Sequence, residues 1–224
     1  MSSLYPLVEA AVVAACLGVI LFAVANVAAR RGIWPAMAWA AVGLGWFLVV
    51  WQLARAGAFE GTRGSARVVE ITAAVVSLAL GWALLASSRR ARSGVADLVT
   101  IQASRVVAVV VLLALAGEAL PAWLALPIGL GDSLVGLTAL GVARRLRGAA
   151  AGAARAAQVW NVAGVVLAVF TIAAPIASAR STGYFLSLYP LVLFPTFLAP
   201  GALVLHGVTL GALRRPSSPP ESAS

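Results

Sequence analysis

Seven apolar runs, each long enough to cross a bilayer as a helix, limit what this chain can fold into more than any other feature. They fall near residues 5 to 29, 34 to 54, 67 to 88, 98 to 120, 121 to 143, 156 to 177 and 188 to 213. A helix needs about 20 residues to span the hydrocarbon core. The pattern predicts an all-α, polytopic membrane protein with seven transmembrane helices in a single domain over residues 1–215, followed by a disordered tail over 216–224. The division between the fourth and fifth runs rests on "GEALPAW", where Pro121 is suited to starting a helix and not to continuing one. The first run has no basic residue before it and is followed by Arg30 and Arg31, which is not the pattern of a cleaved signal peptide.

Composition supports lipid as the solvent. The 224 residues are 62% hydrophobic and 10% charged, with mean hydropathy +1.01, whereas about a quarter of a soluble domain is charged. All sixteen basic residues are arginines, which excludes lysine Schiff-base chemistry. The single cysteine, Cys16, lies within the first run and cannot form an internal disulfide.

The net charge of +9 would suggest nucleic acid in a soluble protein, but here the arginines sort by side. Arg30, Arg31, Arg89, Arg90, Arg92, Arg144, Arg145, Arg147, Arg155, Arg214 and Arg215 fall on one side; Arg55, Arg63, Arg67 and Arg180 fall on the other. Because positive residues are retained in the cytoplasm, the N-terminus is expected outside and the C-terminus inside, in a cytoplasmic (inner) membrane. The basic excess then requires no nucleic acid. Trp34, Trp51, Trp123 and Trp160 fall near run ends, where interfacial aromatics belong. The pentapeptide "LYPLV" occurs at 4 to 8 and 188 to 192, at the starts of the first and last runs, and defines no repeat unit. Tyr at an interface with Pro in a first helical turn accounts for both copies.

Ionisable groups deep in an apolar run cost several kcal/mol unless paired or hydrated. Counted from the cytoplasmic side at about 1.5 Å per residue, Asp132 lies roughly 18 Å deep, Arg105 and His206 roughly 12 Å, and Asn161 roughly 9 Å. Gln102 is one turn from Arg105 and Gln158 one turn from Asn161. These residues come from four runs and define a candidate polar layer: Asp132, Arg105, Asn161, His206 and Gln102. A shallower outer set comprises Glu9, Gln52, Glu70 and Glu118, with Arg55 and Arg67 nearby. Two readings compete for the inner layer. In one, Arg105 and Asp132 form a structural ion pair while Asn161 and His206 bond between helices. In the other, the layer lines a cavity for a polar solute, an ion or a proton. One histidine does not make a zinc or di-haem site, so no metal or other cofactor is expected.

The string "GDSL" at 131 to 134 matches the signature of soluble serine esterases, but the catalytic Asp-x-x-His that such enzymes carry is absent. No catalytic residue is assigned, because intramembrane protease patterns are also missing. Gly129, Ser133 and Gly136 instead form a small-residue stripe beside Asp132, and Gly164 lies beside Asn161, so close helix packing is expected at both. In the last run, Pro195 and Pro200 leave the carbonyls of Leu191 and Thr196 without their helical partners and predict a kink.

"QASR" at 102 to 105, "LPAWLALPIGLGDSLVG" at 120 to 136, "WNVAG" at 160 to 164 and "YPLVLFPTFLAPGALVLHGVTL" at 189 to 210 resemble a group of uncharacterised bacterial multi-pass membrane proteins. The matching positions are Gln102, Arg105, Pro121, Gly131, Asp132, Trp160, Asn161, Pro195 and His206. The resemblance covers about residues 100 to 213 and implies that the last four helices form the characteristic unit. It implies no activity. The leading expectation is binding or transport of a small polar solute or proton among helices four to seven, with Asp132 as principal charge and Arg105 as counter-ion. The alternatives are a non-catalytic accessory or scaffold protein and, third, a membrane-embedded enzyme.

Reporter fusions at Ser93, Gly152 and the C-terminus are expected to read cytoplasmic, and fusions at Gly61 and Thr182 external. A cytoplasmic reading at Gly61 with an external C-terminus would invert the arrangement.

Overall fold

The computed structural model describes residues 5–60, 64–88, 94–177 and 184–214. Arg63, Arg89, Arg90, Arg92, Arg180 and Arg215 of the charge argument, and the tail 216–224, lie outside the described residues. Seven helices are long and apolar enough to cross a membrane: α1 (Tyr5–Arg31), α2 (Ile33–Arg55), α3 (Gly64–Ser88), α4 (Val95–Ala116), α5 (Ala122–Arg147), α6 (Ala153–Ala177) and α7 (Phe194–Leu213). No strand occurs among the described residues.

Each connection has a local cause. Gly32, at φ +86°, is the only residue between α1 and α2, and a side chain there would be strained. This single residue folds α2 back along α1. The fourth run ends four residues earlier than expected, because the backbone turns at Gly117 and Glu118 takes φ +55°. Pro121 is extended, and its carbonyl accepts from Leu124 and Ala125 at 3.0 Å, so it caps the start of α5. The last run also begins later than its hydropathy suggests. Residues 188–192 form turns, and α7 starts at Phe194. Pro6 does sit in the first turn of α1, but Pro190 precedes its helix, so the single explanation offered for the two "LYPLV" copies holds only for the first. The copies meet in space: the Tyr5 hydroxyl donates to the Tyr189 carbonyl at 3.3 Å, and the Tyr189 hydroxyl to Glu9 at 2.6 Å.

Half of α4 and 44% of α5 and α7 are buried within the bundle, against 17% of α1 and α2. Three of the four helices that carry the polar layer are therefore the most buried ones, with α6 at 28%. Within α4 the residues Gln102–Val110 are a 3-10 helix, which advances three residues per turn and aligns every third side chain. Gln102, Arg105, Ala108 and Val111 form one buried line. Helix α5 packs along α4 through its small residues: a Cβ at Gly136 would lie 2.5 Å from the Val106 amide nitrogen, and one at Gly129 would lie 2.6 Å from Leu112.

Helix α7 opens with a π-helical segment, Phe194–Leu198, which holds Pro195, and Pro200 follows two residues later. Both carbonyls the prolines release find partners. Leu191 accepts from the Phe194 amide at 3.0 Å, and Thr196 accepts from the Ser77 hydroxyl of α3 at 2.7 Å. Ser77 in turn accepts from the Trp46 indole of α2 at 2.9 Å. One hydroxyl thus fastens the bend in α7 to α3 and α2.

Removing that hydroxyl should expose the cost of the proline. Ser77→Ala strands the Thr196 carbonyl and is expected to destabilise the protein by about 1–3 kcal/mol. In a Pro200→Ala background, which restores the missing amide, the same change should cost less; thermal unfolding of the four proteins in detergent measures the difference.

Candidate functional site

The polar residues of α4, α5, α6 and α7 meet at Arg105. Its guanidinium donates through Nη2 to Oδ1 of Asp132, in a short charged contact buried on both sides. Through Nη1 it contacts Nε2 of His206 at 2.7 Å and donates to the Gly164 carbonyl at 3.3 Å. His206 Nδ1 lies 2.8 Å from Oδ1 of Asn161, whose amide donates to the Ala157 carbonyl at 2.7 Å.

Hydrogen-bond chemistry fixes the direction of this chain. Arginine has no acceptor, so Nε2 of His206 must accept. The ring is then neutral with its proton on Nδ1, which donates to Asn161, and every donor points from Arg105 toward Ala157.

Surrounding groups restrain the chain. Gly164 has no Cβ where one would lie 2.2 Å from the His206 ring. Trp160 places its ring 5.2 Å from the imidazole, and its indole donates to Thr138 of α5 at 2.9 Å. Trp160, expected near an interface, is half-buried and packs against the network. The Thr171 hydroxyl donates to the Leu167 carbonyl at 3.0 Å and also lies close enough to interact with Asp132. Gln102, aligned with Arg105, bonds away from the chain to the Ala202 carbonyl of α7 at 3.2 Å. Four of the five candidate residues thus join in one chain, with Gln102 beside it. Trp160, Thr171 and Gly164's contact with His206 emerge only from the packing.

A cavity of about 20 Å³ borders Gln102, Ser104, Arg105 and Asp132, with Phe194 and Leu198 opposite. That is room for about one water. Sites that enclose small-molecule ligands are commonly about 300 Å³ or more.

Residues 64–214 match the family described as domain of unknown function DUF8737, and the chain belongs to that family. No curated protein and no solved structure matches it. The matched segment begins at α3 and not at the fourth helix. The packing supplies the reason, since α3 lies against α7 and Ser77 holds its bend.

Gly164→Ala is expected to force His206 from its place and to cost about 1–3 kcal/mol through overpacking. Thermal unfolding in detergent measures the loss, and an unchanged melting temperature would show that the helices separate easily at this contact.

Proposed function

We propose that the chain is a multi-pass integral protein of the cytoplasmic membrane, N-terminus outside, and that its inner polar layer fixes the register of helices α4 to α7 in an accessory or scaffold role. The observation that carries this reading is the closed bonding of Arg105. It meets a carboxylate, an imidazole and a carbonyl from three other helices, beside a space for about one water. The sequence placed solute or proton binding first; the size of the cavity reverses that order. The donor-only guanidinium between Asp132 and His206 is also a poor proton relay, because it cannot accept a proton from one and pass it to the other.

A second reading retains a site for a proton or small polar solute at Asp132, with the lipid bilayer as surround. One observation favours it: the water-sized cavity touches both members of the ion pair and is walled by the π-helical bend of α7. In this reading, movement of that bend enlarges the space.

The two readings separate in a double-mutant cycle. Breaking a buried pair from one side commonly costs about 3–5 kcal/mol, whereas replacing both members can be nearly neutral. Asp132→Asn and Arg105→Gln are each expected to lower the melting temperature in detergent, with much of the loss recovered in the double mutant. A structural role predicts that the recovered double mutant retains the cellular phenotype of the wild type. Recovered stability with a lost phenotype would favour the solute or proton site. Simple addition of the two losses would overturn the pair as a unit.

A further inference from the structure

The Tyr5 end of α1, the Ala116 end of α4 and the segment 184–191 that leads into α7 do not close on one another. Between them lies a cavity of about 430 Å³, bordered among others by Tyr5, Val110, Leu113, Phe185, Tyr189 and Leu191. Small-molecule sites commonly measure about 300–1,000 Å³, so this space is of ligand size, unlike the space of about 20 Å³ at the inner polar layer. The side chains that line it are apolar or aromatic, and their only polar atoms are the two tyrosine hydroxyls. A second, more open cavity of about 500 Å³ adjoins it: Ala119 and Phe185 border both, and Glu118 stands at the edge of the second.

The hydrogen bonds at those hydroxyls decide what a ligand must offer. Tyr5 donates to the Tyr189 carbonyl at 3.3 Å, Tyr189 donates to Glu9 at 2.6 Å, and the Trp51 indole donates to the Tyr189 hydroxyl at 2.7 Å. All three side-chain donors are thus committed. What remains are acceptors: the lone pairs of the Tyr5 oxygen, and the carboxylate of Glu9, which has no cation within ion-pair distance among the described residues. Tyr5 and Glu9 are one turn apart on the same face of α1. Charge points the same way. Glu9, Arg55 and Glu60 act on the Tyr5 hydroxyl, two acids against one base, and Arg55 lies over the Trp51 ring at 5.1 Å. Glu118, beside the second cavity, is exposed and also lacks an ion-pair partner among the described residues. Spare acceptors and an excess of acids complement a ligand that is both a donor and a cation. The rings of Tyr5, Tyr189 and Phe185 suit the same ligand, since aromatic faces attract cations.

We propose that this cavity binds an amphiphilic amine: the apolar body fills the space between α1, α4 and the segment 184–191, and the protonated amino group bonds to Tyr5 and Glu9. A metal cation fits poorly, because it needs several oxygen ligands at one point. An anionic amphiphile fits poorly as well, because it would meet acceptors and acids. Nothing in this site depends on the role given to Arg105 and Asp132.

The test uses the full chain in nanodiscs of zwitterionic phosphatidylcholine, with three probes that share one tail: dodecylamine, dodecanol and dodecanoate. Calorimetric titration at neutral pH, with empty nanodiscs subtracted, should show saturable binding of dodecylamine, about tenfold or more tighter than dodecanol, with dodecanoate weaker still. Glu9→Gln, which keeps an acceptor for Tyr189, should weaken the amine about tenfold and leave dodecanol unchanged. Ala116→Trp, at an exposed position on the cavity wall, should reduce binding of the amine and the alcohol alike. Equal affinity for amine and alcohol would reduce the site to an apolar groove and overturn the proposal, as would a preference for dodecanoate or no saturable binding above empty nanodiscs. Amine binding that neither variant alters would lie elsewhere on the protein and overturn it too. Should a variant fail to fold, the three wild-type titrations decide alone.

Discussion

The bond between Arg105 and Asp132 is the contact on which the centre of this protein depends, since each charge makes the other tolerable where both are buried. Taking two ions out of water costs several kcal/mol apiece, and attraction between them recovers that only when the remaining donors are also used. Arg105 meets this condition by reaching three further helices at once. Its second amino group serves the Gly164 carbonyl and His206, and His206 passes the bonding on to Asn161. A displaced helix would leave at least one of these groups unsatisfied. The polar chain therefore penalises misregister, whereas apolar contacts alone would let helices slide with little loss.

Backbone irregularity is what allows such a chain to be built. The 3-10 geometry of Gln102–Val110 puts Gln102 and Arg105 on the same inward line. The π-helical segment Leu126–Gly131 ends just before Asp132, and a second one opens α7. Each distortion frees or redirects backbone groups that must be satisfied elsewhere within the bundle. Ser77 shows how this is done for Thr196. Membership of α3 in the DUF8737 segment follows the same logic, because α7 relies on α3 to complete its bend.

Small residues set the distances. Gly136 lets α5 approach the α4 backbone, and Gly164 leaves the space that the His206 ring occupies. Neither is a ligand. Their effect on the site is indirect, through the separation at which Arg105, Asp132 and His206 can meet.

The amino-acid sequence by itself determined the seven helices, since length and hydropathy suffice for an apolar segment that must satisfy its backbone internally. It also singled out Arg105, Asp132, Asn161 and His206, because charge and amide groups in such segments are rare and costly wherever they fall. What only the tertiary structure decided was which groups are satisfied. Glu70 and Glu9 look alike in sequence, as acids near the same end of the bundle, yet Glu9 accepts from Tyr189 while an oxygen of Glu70 is left without a donor. The contacts of Trp160 with Thr138 and His206 also exist only once the helices are packed. The helix ends at Ala116 and Phe194 were likewise hidden, because hydropathy continues through turns whose course is set by Gly117, Glu118 and the prolines of α7. Solvation cost is a property of one residue and can be read along the chain. Its compensation belongs to pairs of residues far apart in sequence, and exists only once the helices are packed.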